Sequence, residues 1–110
     1  MAETPASAWR MERDDDGIIW LTADKPGTST NVLSSVVLRE LDALLDRISS
    51  PPRGIVVISA KKSGFIAGAD IKAFSGITSA ESGYRLIHAG QQVFDRLEAL
   101  PCPTVAAIHG

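Results

Sequence analysis

The chain has 110 residues, room for one domain of the usual ~100–150 residues but not for two. Hydrophobic residues make up 45% and charged residues 22%, the balance of a sequence that buries a core rather than one that stays disordered. Eleven Lys and Arg against thirteen Asp and Glu leave a formal charge of −2, which gives no cationic surplus for a nucleic-acid backbone or an anionic membrane.

Met1 to Ala8 contain Pro5 and no periodic pattern, so residues 1–8 read as a flexible tail and residues 9–110 as the domain. Glu3 and the missing apolar run exclude a secretory signal, and no later stretch approaches the ~20 apolar residues of a membrane span. A cytoplasmic location is expected. Trp9–Arg13 and Gly17–Ala23 are two β-type runs around Asp14-Asp15-Asp16, with Asp16-Gly17 supplying positive φ for a hairpin turn; Trp9 and Trp20 fall on it as packing residues. Lys25-Pro26-Gly27 breaks the second strand. Beyond Ser34, the apolar residues Val37, Leu41, Leu44, Leu45 and Ile48 recur at helical spacing. They predict an amphipathic helix capped by Ser34 and stopped by Pro51-Pro52.

Gly54–Ala60 (GIVVISA) shows no alternation, which predicts a strand buried on both faces of a layered sheet. Residues Lys61 to Gly76 read as an irregular loop entering a helical turn. Thr78-x-x-Glu81 has capping-box form and predicts the start of a long helix with a buried stripe of Leu86, Ile87, Gly90, Val93, Phe94, Leu97 and Leu100. Gly90 would permit close packing against a neighbour. Pro101 and Pro103 end this helix, and Thr104 to Ile108 reads as a further buried strand before a glycine turn. The order hairpin, helix, strand, helix, strand is that of the leading portion of an α/β domain whose later layers are missing.

The chemistry is concentrated between Gly64 and Asp70. After a buried strand, such a loop can aim backbone N–H groups outward, because Gly68 has no side chain to block close approach, and outward amides can bind a developing oxyanion. The competing reading is an ordinary connection in which Asp70 caps the next helix. The glycine spacing matches neither a dinucleotide fingerprint nor a P-loop.

The run Ser63-Gly64-Phe65-Ile66-Ala67-Gly68-Ala69-Asp70-Ile71-Lys72 resembles the motif of the enoyl-CoA hydratase/isomerase (crotonase) superfamily, and most of all the hydratase end of bacterial multifunctional fatty-acid β-oxidation α-subunits. Asn31-Val32-Leu33-Ser34, Gly54 to Ser59, Gly90-Gln91-Gln92 and Val105 to Gly110 agree in order, so the resemblance extends from about Gly17 to the last residue. It implies the N-terminal portion of a ClpP/crotonase ββα spiral, truncated. It also implies a parent enzyme that hydrates trans-2-enoyl-CoA, or shifts its double bond, with two backbone amides holding the thioester oxygen. The first of these amides maps onto Ala69. The substrate-binding stretch maps onto Ala67, Gly68, Ala69, Asp70, Ile71 and Lys72, with Asp70 bracing or capping the loop.

By the same resemblance the substrate is an acyl-CoA thioester, and no cofactor is required unless a fused 3-hydroxyacyl-CoA dehydrogenase brings NAD. The parent assembles as a homo-oligomer or with a thiolase subunit. The family's second oxyanion amide and its two acid/base glutamates follow the stretch that matches Ile108-His109-Gly110, and Glu81 and Glu98 match neither glutamate. The isolated 110 residues are therefore expected to be inactive, since each acid/base group typically contributes ~10²–10⁴-fold. The alternatives are a non-catalytic CoA-binding piece or a self-associating remnant.

The remaining candidates read as structural. His88 and His109 stand too far apart in sequence to suggest a metal site. Cys102, between two prolines, reads as core filler, and a single cysteine excludes both an intrachain disulfide and a sulfur-rich zinc site.

Overall fold

The computed structural model describes residues 7–69 and 77–110. Strands β1 (Trp9–Arg13), β2 (Ile18–Ala23), β3 (Gly54–Ser59) and β4 (Thr104–Ala106) form one sheet in sequential order. The β1–β2 pair is antiparallel, and β2–β3 and β3–β4 are parallel. Parallel neighbours need long crossovers. The two crossovers contain helices α1 (Ser35–Asp46) and α2 (Ala80–Glu98).

The hairpin forms as the sequence predicts, through a turn in which the Gly17 amide donates to the Asp14 carbonyl and Gly17 takes φ +80°. A side chain at that φ would be strained. Asp14 orders the turn. Its carboxylate accepts from the amides of Asp16 and Ile18 at 2.9 and 3.0 Å and from the Trp20 indole at 2.9 Å. The Trp20 indole, followed by these amides, holds the Asp14 carboxyl below the usual carboxylate range. A depressed carboxyl stabilises the fold above its unfolded pKa of about 3.9, and that contribution disappears as the pH falls through the lower folded value. Asp14→Asn should therefore melt below the parent sequence at pH 7, with the gap closing near pH 2. Thermal unfolding at both pH values checks this, and a gap that does not change with pH would contradict it.

Register places Trp9 opposite Ala23, Met11 opposite Leu21 and Leu21 opposite Val57, so these residues share one sheet face. That face carries the core of Trp9, Ile19, Leu21, Ala23 and Ile55 with Val37, Leu41 and Leu45 of α1 and Val93 and Leu97 of α2. Ser34 caps α1 as predicted, its hydroxyl accepting from the Val37 amide at 3.2 Å. The buried Trp9 indole ties β1 to α1 by donating to the Val37 carbonyl at 2.9 Å. α1 and α2 meet at Gly90, where a Cβ would lie 3.2 Å from Leu38 Cδ1. This is the close approach expected of that glycine. Arg96 on α2 also pairs with Asp42 and Asp46 on α1.

Several expectations are corrected. Ala8, expected within a flexible tail, is buried, its amide donating to Glu40 at 2.7 Å and its carbonyl accepting from Asp24 at 2.8 Å. Residues 1–6 lie outside the described residues. β3 is not buried on both faces. The second face, with Trp20, Val56, Ile58 and Val105, is only partly covered by the described residues, and Trp20 and Val105 are exposed. An unbroken apolar run records that a strand suits two covered faces, but covering them takes a second layer. β4 is an exposed edge strand rather than a buried one. The α2 cap falls one residue later than predicted: Ser79 and Ser82 form the capping box, and Glu81 instead pairs with Arg85. Ile87 and Phe94 of the predicted stripe are exposed.

Candidate functional site

The loop after β3 is anchored first by Lys61. Its ammonium donates to the carbonyls of Lys25 and Thr28, both at 2.7 Å, and lies 2.9 Å from the Asp24 carboxylate. The Lys61 contact holds the Asp24 carboxyl below its ordinary range. The loop then packs against the segment that follows β4. The Phe65 amide donates to the His109 carbonyl at 2.9 Å, and a Cβ on Gly64 would come within 3.2 Å of that oxygen. His109 thereby has a structural role, its Nε2 lying 2.9 Å from the Lys61 carbonyl. His88 stacks on Tyr84 one helical turn away, and Cys102 packs half-buried against the core.

Further on, the loop pairs with residues 31–33. The Ala67 amide donates to the Asn31 carbonyl and the Leu33 amide to the Gly68 carbonyl, both at 2.8 Å, and Leu33 and Ala69 form a parallel bridge. In a parallel bridge the peptide groups flanking a residue carry the bonds to its partner, so the Ala69 N–H points away from residues 31–33. Among the described residues it has no acceptor. Gly68 makes this geometry possible: its φ is +102°, which L side chains rarely adopt, yet a Cβ there would meet nothing within 4 Å. Glycine is needed here for its backbone, not for the space it leaves.

Of the predicted site residues, the structure brings Ala67, Gly68 and Ala69 together on an exposed loop. The Ala67 amide is engaged internally, the amides of Gly68 and Ala69 have no acceptor among the described residues, and the bridge to Leu33 turns that of Ala69 away from residues 31–33. Asp70, Ile71 and Lys72 lie outside the described residues. Ala69 borders a groove of about 740 Å³ between α1 and α2, whose walls include Leu33, Leu38, Leu86, Gly90 and Phe94. The exposure of Phe94 and Ile87, unexpected from periodicity, follows from their place on this groove. An outward amide beside an apolar wall can hold an oxygen that gains negative charge while an attached hydrocarbon lies alongside.

Sequence reasoning did not single out Lys61, Ser59 or the Asn31 side chain as supports of the loop. The available signal was a lone Asn after a Pro-Gly turn, and a polar residue on a loop reads as exposed until the fold buries it.

The same architecture recurs in solved enoyl-CoA hydratases. The structure aligns with an enoyl-CoA hydratase from Mycobacterium smegmatis at a TM-score of 0.82 and 27% identity, covering 96% of this chain and 41% of that one. An enoyl-CoA hydratase/carnithine racemase from Magnetospirillum magneticum aligns at 0.81 and 25% identity, covering 96% and 40%. The fold is that of the enoyl-CoA hydratase/isomerase (crotonase) superfamily, of which this chain matches a portion.

Within that class its curated relatives are large proteins. It is 43% identical over 105 residues to the fatty acid oxidation complex subunit alpha of Idiomarina loihiensis, covering 94% of this chain and 15% of that protein. The subunit of the same name from Aliivibrio fischeri is 40% identical over 113 residues, covering 100% and 16%. The chain thus spans about one sixth of the length of these relatives. No protein-family model matches the sequence.

Proposed function

We propose that these 110 residues are the part of an enoyl-CoA hydratase/isomerase, acting in fatty-acid β-oxidation, that holds the thioester oxygen through the Ala69 amide. The observation that carries this reading is the outward Ala69 N–H, set by the positive φ of Gly68 at the border of an apolar groove. In hydration water gives up one proton to a base outside the described residues as its oxygen bonds C3 of the enoyl thioester. The C2=C3 electron pair shifts toward C2 and the thioester oxygen, and C2 then takes a proton. A donor at Ala69 stabilises the charge where it develops. The backbone from Ala67 to Ile71, with Lys72, would lie along the CoA moiety, and Asp70 would brace the loop.

No carboxylate among the described residues stands at a family acid/base position: Glu81 pairs with Arg85, and Glu98 is exposed on α2. The 110-residue polypeptide by itself should therefore show no hydration above the buffer rate, whereas the full-length natural polypeptide containing it should consume 2-enoyl-CoA. Loss of the conjugated enoyl-thioester absorbance measures both. A full-length protein inert toward enoyl-CoAs of every chain length would sink the reading, and turnover by the 110 residues alone would overturn the assignment of acid/base groups elsewhere.

For the whole protein, the resemblance supports a homo-oligomer or a complex with a thiolase subunit in the cytoplasm, with NAD needed only by a fused dehydrogenase. Among the described residues no helix is long and apolar enough to cross a membrane. The open second face of the sheet favours self-association when the 110-residue polypeptide is isolated. Sedimentation should show it larger than a monomer, and a monodisperse, cooperatively folding monomer would contradict this.

A further inference from the structure

We infer that the Asn31 side chain, together with the Ser59 hydroxyl, positions the Ala69 donor, an inference that rests on the oxyanion role proposed for Ala69. Asn31 is the buried polar residue of the described core, only 5% exposed. Its Nδ2, with two hydrogens to share, lies within hydrogen-bond distance of three acceptors: the Ala23 carbonyl at the end of β2 (3.1 Å), the Ser59 hydroxyl at the end of β3 (2.9 Å) and the Phe65 carbonyl in the loop (3.0 Å). Its Oδ1 accepts from the Lys25 amide at 2.9 Å, and its backbone carbonyl accepts from Ala67 at 2.8 Å. Ser59 extends the link, donating to the Gly64 carbonyl at 2.8 Å and accepting from the Lys61 amide at 3.0 Å.

One residue therefore joins the ends of two adjacent parallel strands to two points of the donor loop. Phe65 is held by the amide nitrogen and Ala67 by the main chain of the same residue, two positions before Ala69. Only an amide supplies donors toward the carbonyls and an acceptor toward Lys25 at this size. Aspartate would turn a carboxylate oxygen toward the Ala23 and Phe65 carbonyls, and an aliphatic residue would leave those groups unpaired in a buried setting. The loop carries positive-φ glycines at both Gly64 and Gly68. Its direction is set by what it is tied to, and displacements well under 1 Å matter for a donor that must meet a developing oxyanion. Asn31 and Ser59 touch no reacting atom in this scheme; they are positioning residues.

The test uses the full-length protein saturated with a saturated acyl-CoA carrying ¹³C at the thioester carbonyl, whose stretching frequency falls when the oxygen accepts strong hydrogen bonds. The parent protein should lower this frequency relative to the free ligand. Asn31→Ala should return it most of the way to the free value, with kcat for enoyl-CoA hydration falling about 10–100-fold, less than the ~10²–10³-fold of removing a donor outright, and KM changing less than about threefold. Ser59→Ala, which removes one hydroxyl from a half-buried site, should return the frequency part of the way, and it decides the question if Asn31→Ala does not fold. Folded variants that retain the parent frequency would overturn the positioning role and leave the proposed function standing. A parent protein that does not shift the carbonyl at all would remove the oxyanion contact at Ala69, and this inference with it.

Discussion

Gly68→Ala in the full-length protein should lower the rate of enoyl-CoA hydration by about 100-fold, the range found when an oxyanion-hole donor is lost. The substitution adds one methyl group that meets nothing within 4 Å, so crowding plays no part. The conflict is with φ +102°, a conformation that costs an L residue about 1–3 kcal/mol. If the chain relieves that strain by rotating about the N–Cα bond of residue 68, the peptide group carrying the Ala69 N–H turns with it. The Gly68 carbonyl then also leaves the Leu33 amide that it bonds at 2.8 Å. The loss should fall mainly on kcat, because the donor acts most strongly on charge that exists only in the transition state. Steady-state kinetics of the purified variant tests this. Parent-like kcat would mean that the Ala69 amide is not the donor.

Leu21→Ala should destabilise the fold by about 2–5 kcal/mol, the usual cost of emptying a fully buried leucine site. Leu21 is 0% exposed, lies mid-strand in β2 and has Met11 and Val57 as its cross-strand neighbours on the helix-bearing face. Contacts on both sides and from above leave little freedom for the site to collapse. Domains are typically stable by only ~5–15 kcal/mol, so this single change removes a large share of the total. Val56, one residue from Val57 on the opposite face and only half-buried, provides the control, and Val56→Ala should cost about 1 kcal/mol. Urea unfolding followed by tryptophan fluorescence measures both. Equal losses at the two positions would contradict the one-sided core.

The elements legible in the sequence were those whose determinants are local. The β1–β2 hairpin was readable from the Asp16-Gly17 turn, of which Gly17 takes the positive φ, and α1 from the Ser34 cap and the Val37-Leu41-Leu45 stripe. Position along the chain was readable for β3 and α2 as well. Less legible was what each face meets. Val56 and Ile58 look the same in sequence as Ile55, yet Ile55 lies beneath helices and its neighbours do not. Ile87 and Phe94 fit the α2 stripe by spacing but line an open groove instead. The capping box moved from Thr78 to Ser79 because three hydroxyl residues within five positions offer competing frames, and hydrogen-bond geometry selects among them.

The candidate site divides in the same way. By itself, the sequence determined the order of elements expected of an α/β domain, because turns, caps and apolar spacing act locally; the motif from Ser63 to Lys72 and the mapping of Ala69 onto a donor position came from the resemblance to the crotonase superfamily, since the glycine-punctuated loop alone is equally compatible with Asp70 capping the next helix. Only the tertiary structure decided which amides face outward: Phe65 and Ala67 bond to His109 and Asn31, residues about 44 and 36 positions away. It likewise decided that a loop asparagine is buried, and that it joins two strand ends to the donor loop. Those facts depend on which distant segments the parallel sheet brings together, and partnerships of that kind leave no periodicity or spacing in the chain to be read.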